Sequence, residues 1–142
     1  MRMLALDVGD KRIGVALCDP LEILSSPLTT IERKNDGKVF EEIALLINEY
    51  KVERIIVGLP RLPDGALGTQ AQRTQSFVDE LEQNTDIPIE MHDERYSTDL
   101  AQQLLRDAGG TPKQIKQKKD AAAAALILQW YIDERAEASN LE

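Results

Sequence analysis

The sequence contains one cysteine, one histidine and no long apolar run. Because Cys18 has no second thiol to pair with, an internal disulfide is excluded, which is typical of proteins in a reducing cytosol. Cys18 lies in an apolar stretch, which favours a buried, unreactive thiol. No apolar run approaches the roughly 20 residues that span a bilayer, and Asp7 follows the N-terminus too soon for a secretory signal. These absences predict a cytoplasmic protein with no membrane partner.

The chain carries a net charge of −8, which on its own argues mildly against binding to nucleic acid. The charge is unevenly distributed, however. The segment from Arg106 to Lys119 contains five basic residues and one acid, so it carries +4 and the rest of the chain carries −12. Net charge averages over surfaces that never meet a ligand. This basic segment therefore remains a candidate contact for phosphates.

Hydrophobic periodicity predicts one α/β domain over residues 1–138, with the order β-β-β-α-β-α-β-α-α. Such an order implies a mixed five-stranded sheet with helices on both faces. Pro27 suggests that the third strand is an edge strand or contains a bulge. Residues 111–119 are basic and poorly patterned, and a long helix is expected from about 119 to 136. Residues 139–142 are expected to be a frayed tail or a remnant of cloning. The predicted strands cover 3–8, 13–18, 24–31, 54–59 and 87–92, and the first three helices centre on 39–50, 71–81 and 100–105.

Three carboxylates occupy places where acids are unusual. Asp7 lies in an apolar strand, where an isolated charge is costly unless it is paired or bound to metal. Glu94 follows the last strand at its carboxyl end, where open α/β sheets place ligands. Asp120 opens the last helix and precedes five alanines, which would let that helix approach the sheet closely. Each also has a purely structural interpretation: Asp7 could begin a turn, Glu94 could pair with a neighbouring cation, and Asp120 could favour the helix dipole.

The conjunction of these three acids favours a metal site. Oxygen ligands without a Cys or His cluster suit Mg²⁺ or Mn²⁺ rather than structural zinc. Two such ions can activate a water and stabilise the leaving oxygen in phosphoryl transfer. His92 lies nearby and could assist proton transfer, although strand alternation favours a packed or surface imidazole.

Four segments resemble the YqgF/RuvX family of RNase H-like nucleases, in order and across essentially the whole chain. They are DVGDKRIGVA (7–16), GLP (58–60), DERYST (93–98) and KDAAA (119–123). The resemblance implies an RNase H-like three-layer fold in which Asp7, Glu94 and Asp120 are catalytic metal ligands. It further implies a bacterial cytoplasmic enzyme that trims the 5′ end of precursor 16S rRNA, or alternatively a Holliday junction resolvase. Cys18, where the family pattern has serine, and the loop 61–65 depart from the pattern.

The sequence leaves two rival classes of protein to weigh, and two further choices, of substrate and of oligomeric state. An ATP-binding domain of the actin or sugar-kinase type opens with a similar hairpin, but it needs two such domains. A non-catalytic nucleic-acid-binding module is also conceivable, although all three acids are present. The sequence does not distinguish structured RNA from branched DNA as the substrate, or a monomer from a homodimer.

The residues expected to contact nucleic acid are Lys11, Arg12, Arg95, Lys113, Lys116, Lys118 and Lys119.

Overall fold

The structure is a computed structural model that describes residues 1–62, 64, 66–93 and 112–141. It contains five strands and three helices within these ranges. The strands are β1 (Arg2–Val8), β2 (Arg12–Cys18), β3 (Ser25–Glu32), β4 (Val52–Leu59) and β5 (Ile89–Asp93). The helices are α1 (Asp36–Tyr50), α2 (Thr69–Glu82) and α3 (Pro112–Leu141).

The five strands form one mixed sheet in the order β3-β2-β1-β4-β5. Strand β2 is antiparallel to both β1 and β3, whereas β1, β4 and β5 run parallel. The carboxyl ends of the three parallel strands therefore lie at one edge of the sheet, here called the carboxyl edge. Asp7 is the last residue but one of β1 and so belongs to this edge.

The two faces of the sheet bury separate apolar cores, as the predicted three-layer architecture requires. Alternation along each strand sends successive side chains to opposite faces. Leu4 and Leu6 of β1 pack with residues of α1 and α2. Met3 and Ala5 pack instead with α3, through Ile127 and other residues. The mixed five-stranded sheet with helices on both faces is thus confirmed.

Helix α1 shows how local sequence sets an element's ends. The side chain of Asn35 accepts a hydrogen bond from the backbone N–H of Lys38, as an N-cap residue does. The helix ends at Tyr50, and the C-cap residue Lys51 adopts the left-handed conformation (φ 56°) and turns the chain directly into β4. Such a cap satisfies a carbonyl of the last turn.

The edge position predicted from Pro27 is also confirmed. Strand β3 lies at the end of the sheet, and its register with β2 shifts between Val15 and Ala16, where Pro27 pairs. An edge strand tolerates a proline because the missing N–H would have no partner strand to bind.

Cys18 is buried, as expected, and its Sγ accepts a hydrogen bond from the backbone N–H of Met3 at 3.1 Å. Burial raises the pKa of this thiol.

The last helix is longer than the sequence predicts. Helix α3 begins at Pro112, so the expectation that the last helix starts only near Lys119, after the basic segment, is wrong. Proline is well suited to the first position of a helix because its missing N–H has no partner there. The helix also continues beyond Ala136 to Leu141. The predicted helix around 100–105 lies outside the described residues, and the division at residue 138 stays a prediction.

Candidate active site

Asp7 lies within strand β1 and not in the turn that follows it. It shares a face with Met3 and Ala5, because residues two apart in a strand point the same way. That face is the one covered by α3, and Asp7 is half-buried there. The alternative in which Asp7 simply begins a turn is therefore wrong. An acid inside a buried strand has to be offset by a partner or a cation.

Gly14 lets α3 approach the sheet at the level of Asp7. In the antiparallel register of β1 and β2, Asp7 pairs directly with Gly14. A Cβ built on Gly14 would overlap the backbone carbonyl of Asp120, so a residue with a side chain does not fit here. Buried Ala121 and Ala124 continue this close packing along the helix. Asp7 and Asp120 consequently lie on the same face of the sheet, one strand apart.

Asp120 is not at the start of its helix, so the dipole interpretation of this acid is wrong. The field of a helix terminus falls off within the first turn, and Asp120 lies two turns beyond Pro112. Its carboxylate instead accepts a hydrogen bond from Nε of Arg12, at 2.9 Å from Nε to Oδ2. This bond and the charge of Asp120 raise the pKa of Arg12. Arg12 thus contacts a predicted metal ligand.

The turn between β1 and β2 is fixed from the other face of the sheet by Arg33. Its Nη1 donates a hydrogen bond to the carbonyl of Gly9 at 3.0 Å, and its guanidinium lies over the ring of Phe77. Asp36 accepts two hydrogen bonds from the same guanidinium, which lowers the pKa of Asp36. The contact between Arg33 and Gly9 could not be predicted from the sequence, because an arginine directly after a strand is usually a solvent-exposed residue.

A second contact network holds α3 against β4 and β5. The hydroxyl of Tyr131 donates to Oε2 of Glu90 at 2.5 Å and accepts from Nη1 of Arg54 at 2.8 Å. The ring of His92 meets the ring of Tyr131 edge-on, with centroids 5.8 Å apart. Nε2 of His92 lies 3.7 Å from Oε2 of Glu134. His92 is therefore a packed imidazole that faces α3.

The structure brings together only part of the predicted site. Asp7, Arg12 and Asp120 share one face, and Lys119 precedes Asp120 on α3. Lys11 is exposed in the turn between β1 and β2. Glu94 and Arg95 lie outside the described residues, and Lys113, Lys116 and Lys118 are described only as part of the helical backbone of α3. Within the described part of the chain, no three His, Cys, Asp or Glu side chains form a metal-binding group.

Comparison with solved structures identifies the fold as that of RNase H-like resolvases. RuvC from Thermus thermophilus superposes with a TM-score of 0.59 at 11% identity, over 96% of this chain and 97% of that one. The same protein in complex with a Holliday junction gives a TM-score of 0.56 at 14% identity, covering 96% of both chains. A fowlpox virus resolvase gives 0.55 at 12% identity, covering 94% of this chain and 98% of the other.

Sequence comparison then gives the family. Residues 1–134 match the family model described as "RuvX: Holliday junction resolvase". A Roseiflexus protein is 45% identical over 132 residues, covering 93% of this chain and 94% of its own. A Thermoanaerobacter pseudethanolicus protein is 46% identical over 134 residues, covering 94% and 96%. Both carry the name "Putative pre-16S rRNA nuclease".

The chain therefore belongs to the RuvX family, and it is a nuclease that acts on nucleic acid. The family and fold predicted from the four sequence segments are confirmed. No helix in the described ranges is long and apolar enough to cross a membrane.

Proposed function

We propose that this nuclease hydrolyses phosphodiester bonds of precursor 16S rRNA at its 5′ end, in the cytoplasm, with divalent ions held by Asp7, Glu94 and Asp120. The observation that carries the proposal is the close approach at Gly14, which leaves Asp7 and Asp120 on one face of the sheet. The names of the curated relatives support the choice of RNA.

The donor chemistry at this place fits a hard divalent cation. Asp7 and Asp120 supply carboxylate oxygens, which Mg²⁺ and Mn²⁺ prefer to nitrogen or sulfur. The backbone of Asp120 fills the space that a Cβ of Gly14 would need. Helix α3 therefore lies close enough for the carboxylate of Asp120 to reach Arg12 on this face of the sheet. When bound, such ions would supply Lewis-acid activation of water and charge stabilisation of the leaving oxygen, as two-metal nucleases do.

The protein's own residues have the tasks of holding and orienting the substrate. Strand β1 and helix α3 fix the two acids on rigid elements, which gives more precise positions than loops do. Lys11 lies in the turn after β1, Lys119 directly precedes Asp120 on α3, and Arg12 contacts Asp120 directly. We assign the contacts with substrate phosphates to Lys11, Arg12, Arg95, Lys113, Lys116, Lys118 and Lys119.

A second candidate is resolution of four-way DNA junctions, which the description of the family model favours. A resolvase cuts two symmetry-related strands, so it acts as a symmetric dimer. A homodimer in solution would therefore favour junction cleavage, and a monomer would favour RNA processing.

The test is cleavage by purified protein of precursor rRNA, linear duplex DNA and a four-way junction, in parallel, with Mg²⁺ or Mn²⁺. We expect cleavage of the precursor rRNA, and its loss in Asp7→Asn and Asp120→Asn. Asp10→Asn is the matched control, because Asp10 is an exposed acid in the adjacent turn that pairs with Arg73 at 3.1 Å. Near-normal cleavage by Asp7→Asn would contradict the metal-site assignment. Cleavage of the junction alone would contradict the choice of RNA.

A further inference from the structure

Arg12 is placed among acids at the carboxyl edge of the sheet. Its Nε binds Oδ2 of Asp120 at 2.9 Å. It shares the face of Gly14, the partner of Asp7, because the two are two residues apart in β2. Glu32 pairs with Arg12 in the register of β2 and β3. The positive charge of Arg12 therefore reduces the repulsion among the carboxylates of Asp7, Glu32 and Asp120.

The ion pair is not needed to place Asp120. The backbone of Asp120 already touches Gly14, and its side chain is short, so its reach is fixed by the helix. The side chains of Arg12 and Asp120 are 31% and 22% exposed, so Arg12 has room to leave. The role that remains for the pair is neutralisation of the carboxylate.

A guanidinium and a divalent ion cannot both sit close to this carboxylate without strong mutual repulsion. Coulomb repulsion grows as the distance falls, and partial burial weakens the screening by water. Removal of the arginine charge should therefore strengthen binding of a divalent ion at Asp120. If Arg12 instead positioned Asp120 for the ion, its removal would weaken binding, as loss of a partner that orients a metal ligand does. The sign of the change separates the two roles.

We propose that Arg12 neutralises Asp120 in the metal-free protein, leaves it when a divalent ion binds there, and then contacts a phosphate of the nucleic acid. This inference rests on the proposed function, because it takes Asp120 as a metal ligand. It deepens that function by making a phosphate contact depend on metal. By thermodynamic reciprocity, nucleic acid then strengthens metal binding by the same factor.

The first test is calorimetric titration of Mn²⁺ into the metal-free protein and four variants. We expect Arg12→Gln to bind Mn²⁺ about tenfold more tightly than the wild type, a difference of about 1.4 kcal/mol. Arg12→Lys keeps the charge and should bind Mn²⁺ close to normally, which separates charge from loss of structure. Arg73→Gln is the matched control, because it removes an arginine from an exposed ion pair with Asp10, and it should change affinity less than twofold.

Asp120→Asn separates failure of this inference from failure of the proposed function. If Asp120→Asn leaves Mn²⁺ binding unchanged, the metal site is assigned wrongly and the inference fails with it. If Asp120→Asn weakens binding while Arg12→Gln binds equally or more weakly than the wild type, the metal site stands. The proposed role of Arg12 alone is then overturned.

The second test measures the affinity of the protein for duplex DNA as a function of salt concentration. EDTA is present, so that no divalent ion is bound and the DNA is not cleaved. Because Asp120 neutralises Arg12 in this state, Arg12→Gln should leave the slope of log affinity against log salt unchanged. Each cation that neutralises a phosphate contributes about 0.9 to that slope for duplex DNA. A slope reduced by about 0.9 would show that Arg12 contacts phosphate without metal, and would overturn the proposal.

Discussion

Gly14 lies directly beneath Asp120, and the backbone of the helix leaves no space for a Cβ between them. Strand β2 and helix α3 therefore meet backbone to backbone at the place where Asp7 pairs with Gly14. This contact sets the distance between the sheet and the acid on the helix.

Gly14→Ala should destabilise the protein and impair cleavage together, because the added methyl group has to push α3 away from the sheet. Overpacking of a buried site costs about 1–3 kcal/mol, and a backbone neighbour yields less than a side chain. Denaturant unfolding and cleavage rates measure the two effects. Gly37→Ala is the control, since Gly37 lies in α1 and its Cβ would meet only the side chain of Asn35, at 3.0 Å. Equal stabilities of the two variants would contradict the close contact.

Divalent ions should raise the thermal stability of the wild type, because on the proposed function they bind the folded protein, at Asp7, Glu94 and Asp120, and not the unfolded chain. Mass-action linkage gives about 2.7 kcal/mol at a hundredfold excess of ion over its dissociation constant. Melting curves with and without Mg²⁺ or Mn²⁺ measure this shift. The shift should vanish in the triple variant Asp7→Asn, Glu94→Gln, Asp120→Asn. Its persistence there would mean that the ions bind elsewhere.

The lysines at the start of α3 should supply phosphate contacts. Each lysine that neutralises a phosphate contributes about 0.7 to 0.9 to the log–log salt slope of binding. Replacement of Lys113, Lys116 and Lys118 by glutamine should therefore flatten that slope by about two units, with a similar loss for all sequences. Lys51 directly precedes β4, at the amino-terminal ends of the parallel strands and so opposite the carboxyl edge. Lys51→Gln is therefore the control and should leave the slope unchanged. An unaltered slope in the triple variant would direct attention to Lys11 and Arg95.

Tyr131→Phe should cost about 0.5–1.5 kcal/mol, because it removes the hydroxyl that links Glu90 to Arg54, two side chains that water can reach. Burial, followed by the hydrogen bond to Glu90, raises the pKa of Tyr131 above its usual value. The unfolded chain therefore loses this proton first, near pH 10. The contribution of the neutral hydroxyl is complete below pH 10 and is lost as the pH rises through the folded pKa.

Unfolding at pH 8 and at successive values above pH 10 measures both effects of Tyr131. The wild type should lose stability in the upper range, and Tyr131→Phe should lose less. Tyr50→Phe removes a phenol that packs on the other face, and it serves as the control. An identical pH dependence in wild type and Tyr131→Phe would contradict the raised pKa.

The sequence predicts the sheet and helices α1 and α2 well because their apolar periods are local. The sequence predicts the start of α3 wrongly, because residues 113–119 are lysines and glutamines around a single isoleucine and have no apolar period. Lysine and glutamine are nevertheless good helix formers, and extension of an existing helix avoids the cost of nucleation. Absence of a pattern was a poor indicator of absence of structure.

Some contacts of the candidate site could be predicted from local sequence and others could not. Asp7 and Asp120 can be chosen as candidate site residues, because Asp7 interrupts an apolar strand and Asp120 precedes five alanines. The bond between Arg12 and Asp120 is not predictable, because its partners are 108 residues apart and no local pattern reports such a contact. The role of Gly14 could have been found from the hairpin register, since it pairs with Asp7.

The separation of the two acids also has a consequence for synthesis of the protein. Asp7 lies on the first strand and Asp120 on the last helix, so the contact at Gly14 joins opposite ends of the fold. Contacts of such long sequence separation form late and slowly, because the intervening chain has to be ordered first. A nascent chain on the ribosome contains Asp7 long before Asp120 has been synthesised. On the proposed assignment of Asp7 and Asp120 as metal ligands, the chain is catalytically silent while it is being made, and products truncated before residue 120 remain so.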